Sequence, residues 1–236
     1  MSDLLETKDR SPAQWERVRR RLPDAGVITA IEVQRKDPNQ RRLRVDGRVA
    51  VRLTADEVEQ LELAEYMTWD EVLADRVAEQ ILFRRARKTA LNLLSRRAFS
   101  IHAMRERLLR RGFPPSTAQS VVDGLVNDGW LDDERLARDL VESMYRDKPA
   151  GTALIVEKLR QRGIDDGLAR RIAEHTRESQ SEYDAAMQLA ETRFAKMSQT
   201  LDDAAKARRL AGALARRGFE QETVEDVVRR VVGHDE

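Results

Sequence analysis

Cysteine is absent from the 236 residues. Its absence excludes disulfides, thiol catalysis and cysteine-ligated zinc together, and it agrees with a reducing compartment. Aromatic residues reach only 5% and glycine only 11 positions, against 36% charged and 41% hydrophobic residues. That balance describes exposed helices around modest aliphatic cores and speaks against an all-β chain. No stretch approaches the roughly 20 apolar residues of a membrane span, and Met1 to Arg21 carries no apolar run of the signal-peptide kind. A cytoplasmic location is the expectation. A phosphate-binding Gly-x-x-x-x-Gly-Lys-Ser/Thr loop and a dinucleotide glycine fingerprint are both missing. His102, His175 and His234 stand alone, without a second histidine or carboxylate at ligand spacing. The acids Asp132, Asp133, Glu134, Asp139 and Glu142 fall at a helix start, where capping and the helix dipole account for them without a metal. No catalytic, cofactor-binding or metal-binding residue is therefore assigned, and the chain reads as a non-enzyme. Trp15, Trp69 and Trp130 read as core or staple residues, not as base-stacking platforms.

Charge is present in both signs and nearly cancels, with 43 Lys and Arg against 42 Asp and Glu. Its distribution is informative where its total is not. From Phe83 to Phe113 there are ten basic residues and one acid, Glu106, and from Asp123 to Glu142 seven acids face Arg135 and Arg138. Such blocks polarise a surface and favour an oriented encounter with a charged partner.

Along the chain, 1–26 is polar with Pro12 and Pro23 around Trp15, and is expected to be a poorly ordered leader. The length, 236 residues, allows one large or two smaller domains. Val27, Thr29, Ile31 and Val33 alternate as one face of a strand, Lys36 to Gln40 supplies a turn, and Leu43 and Val45 resume the alternation. Asp46-Gly47 signals a tight hairpin, followed by Val49, Val51 and Leu53. A three-stranded meander results, too small to stand without a helix on its apolar face. Thr54-Ala-Asp-Glu57 starts that helix as a capping box. A second box, Thr68 to Glu71, opens a helix expected to run to about Phe99. One face carries Phe83, Ala86, Ala90, Leu93 and Leu94; the opposite one carries Arg84, Arg85, Lys88, Asn92 and Arg96.

The remainder repeats. Leu108-Leu-Arg-Arg-Gly112-Phe113, Leu159-Arg-Gln-Arg-Gly163-Ile164 and Leu214-Ala-Arg-Arg-Gly218-Phe219 share one pattern, with glycines 51 and 55 residues apart. At common offsets follow Val121, Val122 and Leu125, then Ile172, Ala173 and Thr176, then Val227, Val228 and Val231. Arginine complements the carbonyl end of a helix, glycine takes the left-handed conformation that stops it, and the next apolar residue folds back. Ser116 to Gln119 reads as a third capping box. Each unit is a helix pair around a glycine turn plus a lead-in helix, and stacked units bury faces that none could bury alone.

Gly129-Trp-Leu-Asp-Asp-Glu-Arg-Leu-Ala137 follows the first copy, with Asp132 as a cap and Leu131 stapled to Leu136. Together with Leu108 to Phe113, and with Gly151 to Ile164, it closely resembles the signature of the RecX family. The resemblance spans about Val27 to Val232. It implies a mainly α protein of tandem three-helix repeats, elongated and curved and acting as a monomer, preceded by a small three-stranded β-meander with a helix. The divisions expected are 1–26, 27–67, 68–128, 129–180 and 181–236. It further implies a regulator that binds the RecA recombinase and its filament on single-stranded DNA. Such a protein would inhibit or modulate ATPase, strand exchange and LexA coprotease activity in DNA repair and the SOS response, with weak direct DNA binding as a further contact. The residues that would meet the filament or DNA are Arg84, Arg85, Lys88, Arg96, Arg97, Arg110, Arg111, Arg160, Arg162, Arg170, Arg171, Arg216 and Arg217. The alternative is a stand-alone helical nucleic-acid binder acting as a repressor or RNA binder. Against it, the basic residues recur at helix ends in all three copies instead of gathering on one recognition helix.

Overall fold

A computed structural model describes residues 14–147, 149–179 and 181–233, with all side chains in them except those of 146, 147 and 177–179. The expected leader lies outside these residues as far as position 13, and His234 lies outside them as well. In order come α1 (Gln14–Arg19), β1 (Gly26–Gln34), β2 (Asp37–Val45), β3 (Arg48–Thr54), α2 (Ala55–Gln60), β4 (Thr68–Trp69) and α3 (Glu71–Leu94). Then follow α4 (Ile101–Leu109), α5 (Pro115–Asn127), α6 (Asp133–Asp147), α7 (Thr152–Gln161), α8 (Asp166–Ser179), α9 (Glu182–Phe194), α10 (Asp203–Ala215) and α11 (Gln221–Val232). The chain divides into two compact units, one of Met1–Arg97 with Met104–Trp130, the other of Ala98–Ala103 with Leu131–Glu236.

The first unit carries an antiparallel sheet of order β3-β2-β1-β4. Asp46 and Gly47 both have positive φ, 48° and 74°, as the tight hairpin requires. Thr54 and Glu57 close the expected capping box at α2. Several local expectations are corrected. The first turn is the pair Arg35-Lys36, and β2 already begins at Asp37. Pro38 is tolerated in this central strand because it falls where the register shifts between Val33 and Gln34, so no ladder amide is lost there. A second register shift, between Ile28 and Ala30, turns the face of β1, so that Ile28 is fully buried and Val27 exposed, while Val33 follows Ile31 on the Ile28 face but is exposed near the end of the strand. The Leu43/Arg44 shift likewise exposes Val49 and leaves Leu53 in the core. Thr68 does not cap α3; it pairs with Val27 in β4, and Asp70 accepts the amide of Leu73. The sheet therefore has four strands, not three.

The leader is also more ordered than expected. From Gln14 onward it forms α1 against α3, with Val18 and Leu22 buried, and the Pro23 carbonyl accepts the indole N–H of fully buried Trp69 at 2.8 Å. Helix α3 ends at Leu94, short of Phe99. Its small residues Ala74, Ala78, Ala86 and Ala90 are fully buried, which lets α1 and α5 pack close. Helix α5 starts on Pro115 with no side-chain cap, so Ser116 and Gln119 do not form a box; proline at the first helical position removes one of the orphan amides and pre-sets the helical φ.

The second unit holds two apolar clusters. One gathers Leu136, Val141, Ile155, Leu159, Ile164 and Ile172 from α6, α7, α8 and the turn between the last two; the other gathers Leu189, Leu210, Leu214, Phe219 and Val227 from α9, α10, α11 and the turn between the last two. The glycine turns are as the pattern implies: Gly112, Gly163 and Gly218 have φ of 78°, 82° and 77°. In each, the residue after glycine donates to a carbonyl five back, Phe113 to Leu108, Ile164 to Leu159 and Phe219 to Leu214, and the glycine donates to a carbonyl three back. This is the Schellman closure in all three copies. Trp130, expected to be buried, is 56% exposed, because the next residue, Leu131, takes the core place at 2%. Asp132 caps α6 by accepting the amide of Arg135.

Candidate partner-binding site

The basic residues singled out in the sequence fall into two sets, Arg84 to Arg111 in the first unit and Arg160 to Arg217 in the second. On α3 the stripe is not uniform. Arg84 pairs with Glu57, whose side chain is only 6% exposed, and Glu57 also accepts the Thr54 amide at 2.8 Å. Arg84 thus holds α2 against α3. Arg85, Lys88 and Arg96 are exposed and make no ion pair with a described residue. Burial of part of the Arg85 side chain, then repulsion from Arg21 and Arg84, lowers its pKa from the usual guanidinium range. A cation held near two others is one an incoming anion would relieve. Arg21 is missing from the sequence-derived set, because nothing in the polar leader announced that it would lie beside Arg85. Arg87, also on α3, is tied to Asp128 at 2.6 Å. Arg97 lies beyond the end of α3, and Arg110 and Arg111 stand exposed at the first glycine turn.

In the second unit most of the expected cations have internal partners. Asp166 accepts from Arg170 at 2.8 Å and lies 3.5 Å from Arg160, and these cations hold its carboxyl below the usual aspartate range. Arg171 reaches Glu134 at 3.7 Å. The Arg217 Nε donates to the Pro149 carbonyl at 2.9 Å, and burial with repulsion from Arg193 lowers its pKa. Arg162 and Arg216 are exposed. The ion pairs of Asp166 with Arg160 and Arg170, and of Arg171 with Glu134, lie at the surface, where solvent screening leaves them little to contribute to stability. An ionic partner can exchange with them.

The glycine turns also dock. Ser100 Oγ donates to the Arg162 carbonyl at 2.8 Å and caps α4 by accepting the Ala103 amide at 3.1 Å. The Gly151 amide, at the start of α7, donates to the Arg217 carbonyl at 2.9 Å, and the Gln14 amide, at the start of α1, donates to the Gly112 carbonyl at 3.0 Å. Each Arg-Gly turn is thus met by the N-terminus of an earlier helix. Buried Glu182 extends the third of these joints by accepting from Thr152 Oγ1 and from the Glu220 amide, both at 3.0 Å. Among the described residues no cluster of three or more His, Asp or Glu side chains is arranged for a metal. No described helix is long and apolar enough to cross a membrane.

Three helices around a left-handed glycine turn, repeated along the chain after a small antiparallel sheet, define a helical-repeat protein with exposed cations on its helix faces and turns. Family models for the first, second and third three-helix domains of RecX match residues 86–125, 132–171 and 180–228. The regulatory protein RecX of Trichlorobacter lovleyi is 30% identical over 135 residues, covering 57% of this chain and 88% of that one. That of Mycolicibacterium vanbaalenii is 35% identical over 153 residues, covering 61% and 80%. The chain belongs to the RecX family. A crystal structure of a regulatory protein RecX superposes with a TM-score of 0.69 at 20% identity, covering 86% of this chain and 98% of that one, and so shares the fold. A RecX from Lactobacillus salivarius gives 0.53 at 19% identity over 64% and 97%. The relatives are named as regulatory proteins, and a regulatory role is the function this membership carries.

Proposed function

We propose that this protein is a cytoplasmic, monomeric, non-enzymatic regulator that binds RecA and its filament on single-stranded DNA. Bound there, it lowers ATPase, strand exchange and LexA coprotease activity. The observation that carries the reading is the row of Arg85 and Lys88 on α3 with Arg96 just beyond its end, exposed cations that pair with no described carboxylate. A charged surface of that kind sets the rate and orientation of encounter with a highly charged filament. Arg110, Arg111, Arg162 and Arg216 supply further cations at the repeat turns, while Arg84 serves the fold.

The test is titration of the purified protein into a RecA reaction with single-stranded DNA, following ATP hydrolysis and LexA cleavage. Inhibition is expected at less than one protein per RecA. A triple variant, Arg85→Glu, Lys88→Glu and Arg96→Glu, should remain folded and require roughly tenfold more protein, since reversed charge turns attraction into repulsion. Unchanged RecA activity at saturating protein, with retained binding to DNA alone, would move the assignment to a stand-alone nucleic-acid binder.

A further inference from the structure

The third repeat contains a cleft of about 1120 Å³ between α9 and α10, flanked by Tyr145 and Pro149. Five cations line it: Arg193 and Lys196 at the end of α9, and Arg208, Arg209 and Arg216 along and just beyond α10. No carboxylate lines it, and none of the five makes an ion pair with a described residue. The one other cation on these helices, Lys206, is neutralised locally by Asp203 at 3.0 Å. The cleft therefore gathers five exposed cations with no counter-charge among its lining residues, and Arg193 also faces Arg217, whose pKa is lowered by burial first and by Arg193 second.

A second observation is independent of charge. Gly212 lines the cleft from the interior of α10, where glycine is the least favourable ordinary residue. A Cβ added there would meet only the Arg216 guanidinium, at 3.2 Å, so no packed neighbour demands the glycine. What the missing side chain preserves is the open floor. On the remaining wall Leu189 and Met197 are apolar, and the half-buried Tyr145 ring is fixed by its hydroxyl donating to the Ala150 carbonyl at 3.1 Å.

We propose that this cleft binds a small ligand carrying several linked phosphates, of the class of inorganic tripolyphosphate and nucleoside triphosphates. The volume is close to that of small-molecule pockets, roughly 300–1000 Å³. The cations converge on one concavity instead of tracking along a face, as a nucleic-acid strand requires, and Tyr145 is the sole aromatic lining it. The apolar wall beside Tyr145 would accept a nucleoside if one is attached. The site is separate from the α3 row and does not depend on the filament reading.

The experiment is calorimetric titration of the full-length chain with tripolyphosphate, with ATP, and with a short single-stranded oligonucleotide, without RecA. Saturable binding of tripolyphosphate is expected at one per chain, weakening as salt rises. The double variant Arg193→Gln, Arg209→Gln should weaken it about tenfold or more, since two charge-assisted contacts are lost. Gly212→Leu should weaken it while leaving every charge in place and helix content intact, and Arg230→Gln, on α11 and outside the lining of the cleft, should leave tripolyphosphate binding unchanged. Tighter binding of ATP than of tripolyphosphate would assign the apolar wall to the nucleoside, and equal binding would make the phosphates the whole ligand. Absence of saturable binding by either, or binding indifferent to Arg193, Arg209 and Gly212, would overturn the proposal. Binding of the oligonucleotide alone would overturn it too, and loss of that binding in the Arg193→Gln, Arg209→Gln variant would make the cleft a strand contact.

Discussion

Ser100 donates its hydroxyl to the carbonyl of Arg162, 62 residues away, and by doing so makes the middle glycine turn part of a joint between repeats. A helix-stopping glycine usually answers only to its own backbone. Here the turns at Gly163 and Gly218 are also close-approach sites. A Cβ on Gly163 would stand 2.7 Å from Ser100 Oγ, and one on Gly218 would stand 2.3 Å from the Leu154 amide nitrogen. At Gly112 the nearest atom would be 3.7 Å away, on Gln14.

The three glycines should therefore rank. Gly112→Ala is expected to cost only the left-handed backbone penalty, about 1–2 kcal/mol. Gly163→Ala should cost more, and Gly218→Ala most, ~3 kcal/mol or above, because it meets backbone that cannot yield. Urea denaturation of the three variants checks the order, and equal losses would show that the turns act only as helix stops.

Arg84 and Arg85 are neighbours in sequence with different duties. Replacing Arg84 with Glu leaves the nearly buried Glu57 carboxylate unpaired beside a second one, and a loss of ~2 kcal/mol or more is expected after allowing for the partial exposure of Arg84. Arg85→Glu, Lys88→Glu and Arg96→Glu should each change stability by about 0.5 kcal/mol or less. Thermal unfolding of the four single variants separates the groups. A filament-binding defect in an Arg84 variant reports on folding first.

Asp133 accepts the Ile101 amide at 2.8 Å, and burial, opposed by that bond and reinforced by Asp132, pushes its pKa above the ordinary aspartate value. A raised carboxyl pKa means that the native state prefers the protonated form. The associated stability is complete below the unfolded-state pKa and is lost as pH rises through the folded one. An NMR titration should place the Asp133 midpoint above the usual range. Asp133→Asn, which keeps the acceptor without the charge, should be better tolerated at neutral pH than Asp133→Ala, which forfeits the cap at about 1 kcal/mol. A midpoint below the usual aspartate range would reverse the sign of the pH dependence.

How far the fold was legible depended on how local each signal was. The glycine turns, the Asp46-Gly47 hairpin, the Thr54 cap and the Asp132 cap were readable because each is set within a few residues by φ preference or by one side-chain-to-backbone bond. The face of β1 was misassigned because a bulge at Ile28/Ala30 reverses the alternation, and nothing in Val27 to Val33 marks where it falls. Thr68 was read as a cap because its spacing to Glu71 suits one, whereas the sheet claimed it as a strand residue. Of the candidate surface, the sequence supplied the cations but not their partners. Arg84, Arg85 and Lys88 look alike in one dimension, and only packing puts Glu57 beneath the first and Arg21 beside the second.

By itself the sequence determined the class of elements, the repeat and its three turns, because helix periodicity and the left-handed preference of glycine act within one or two turns of chain. Tertiary structure alone decided that α1 completes the first unit, that the helix starts at Gln14, Ser100 and Gly151 seat on the turns at Gly112, Gly163 and Gly218, and that five cations share a cleft in the third repeat. Those outcomes rest on contacts between residues tens of positions apart, where shape and solvent exclusion, not local propensity, choose the neighbour.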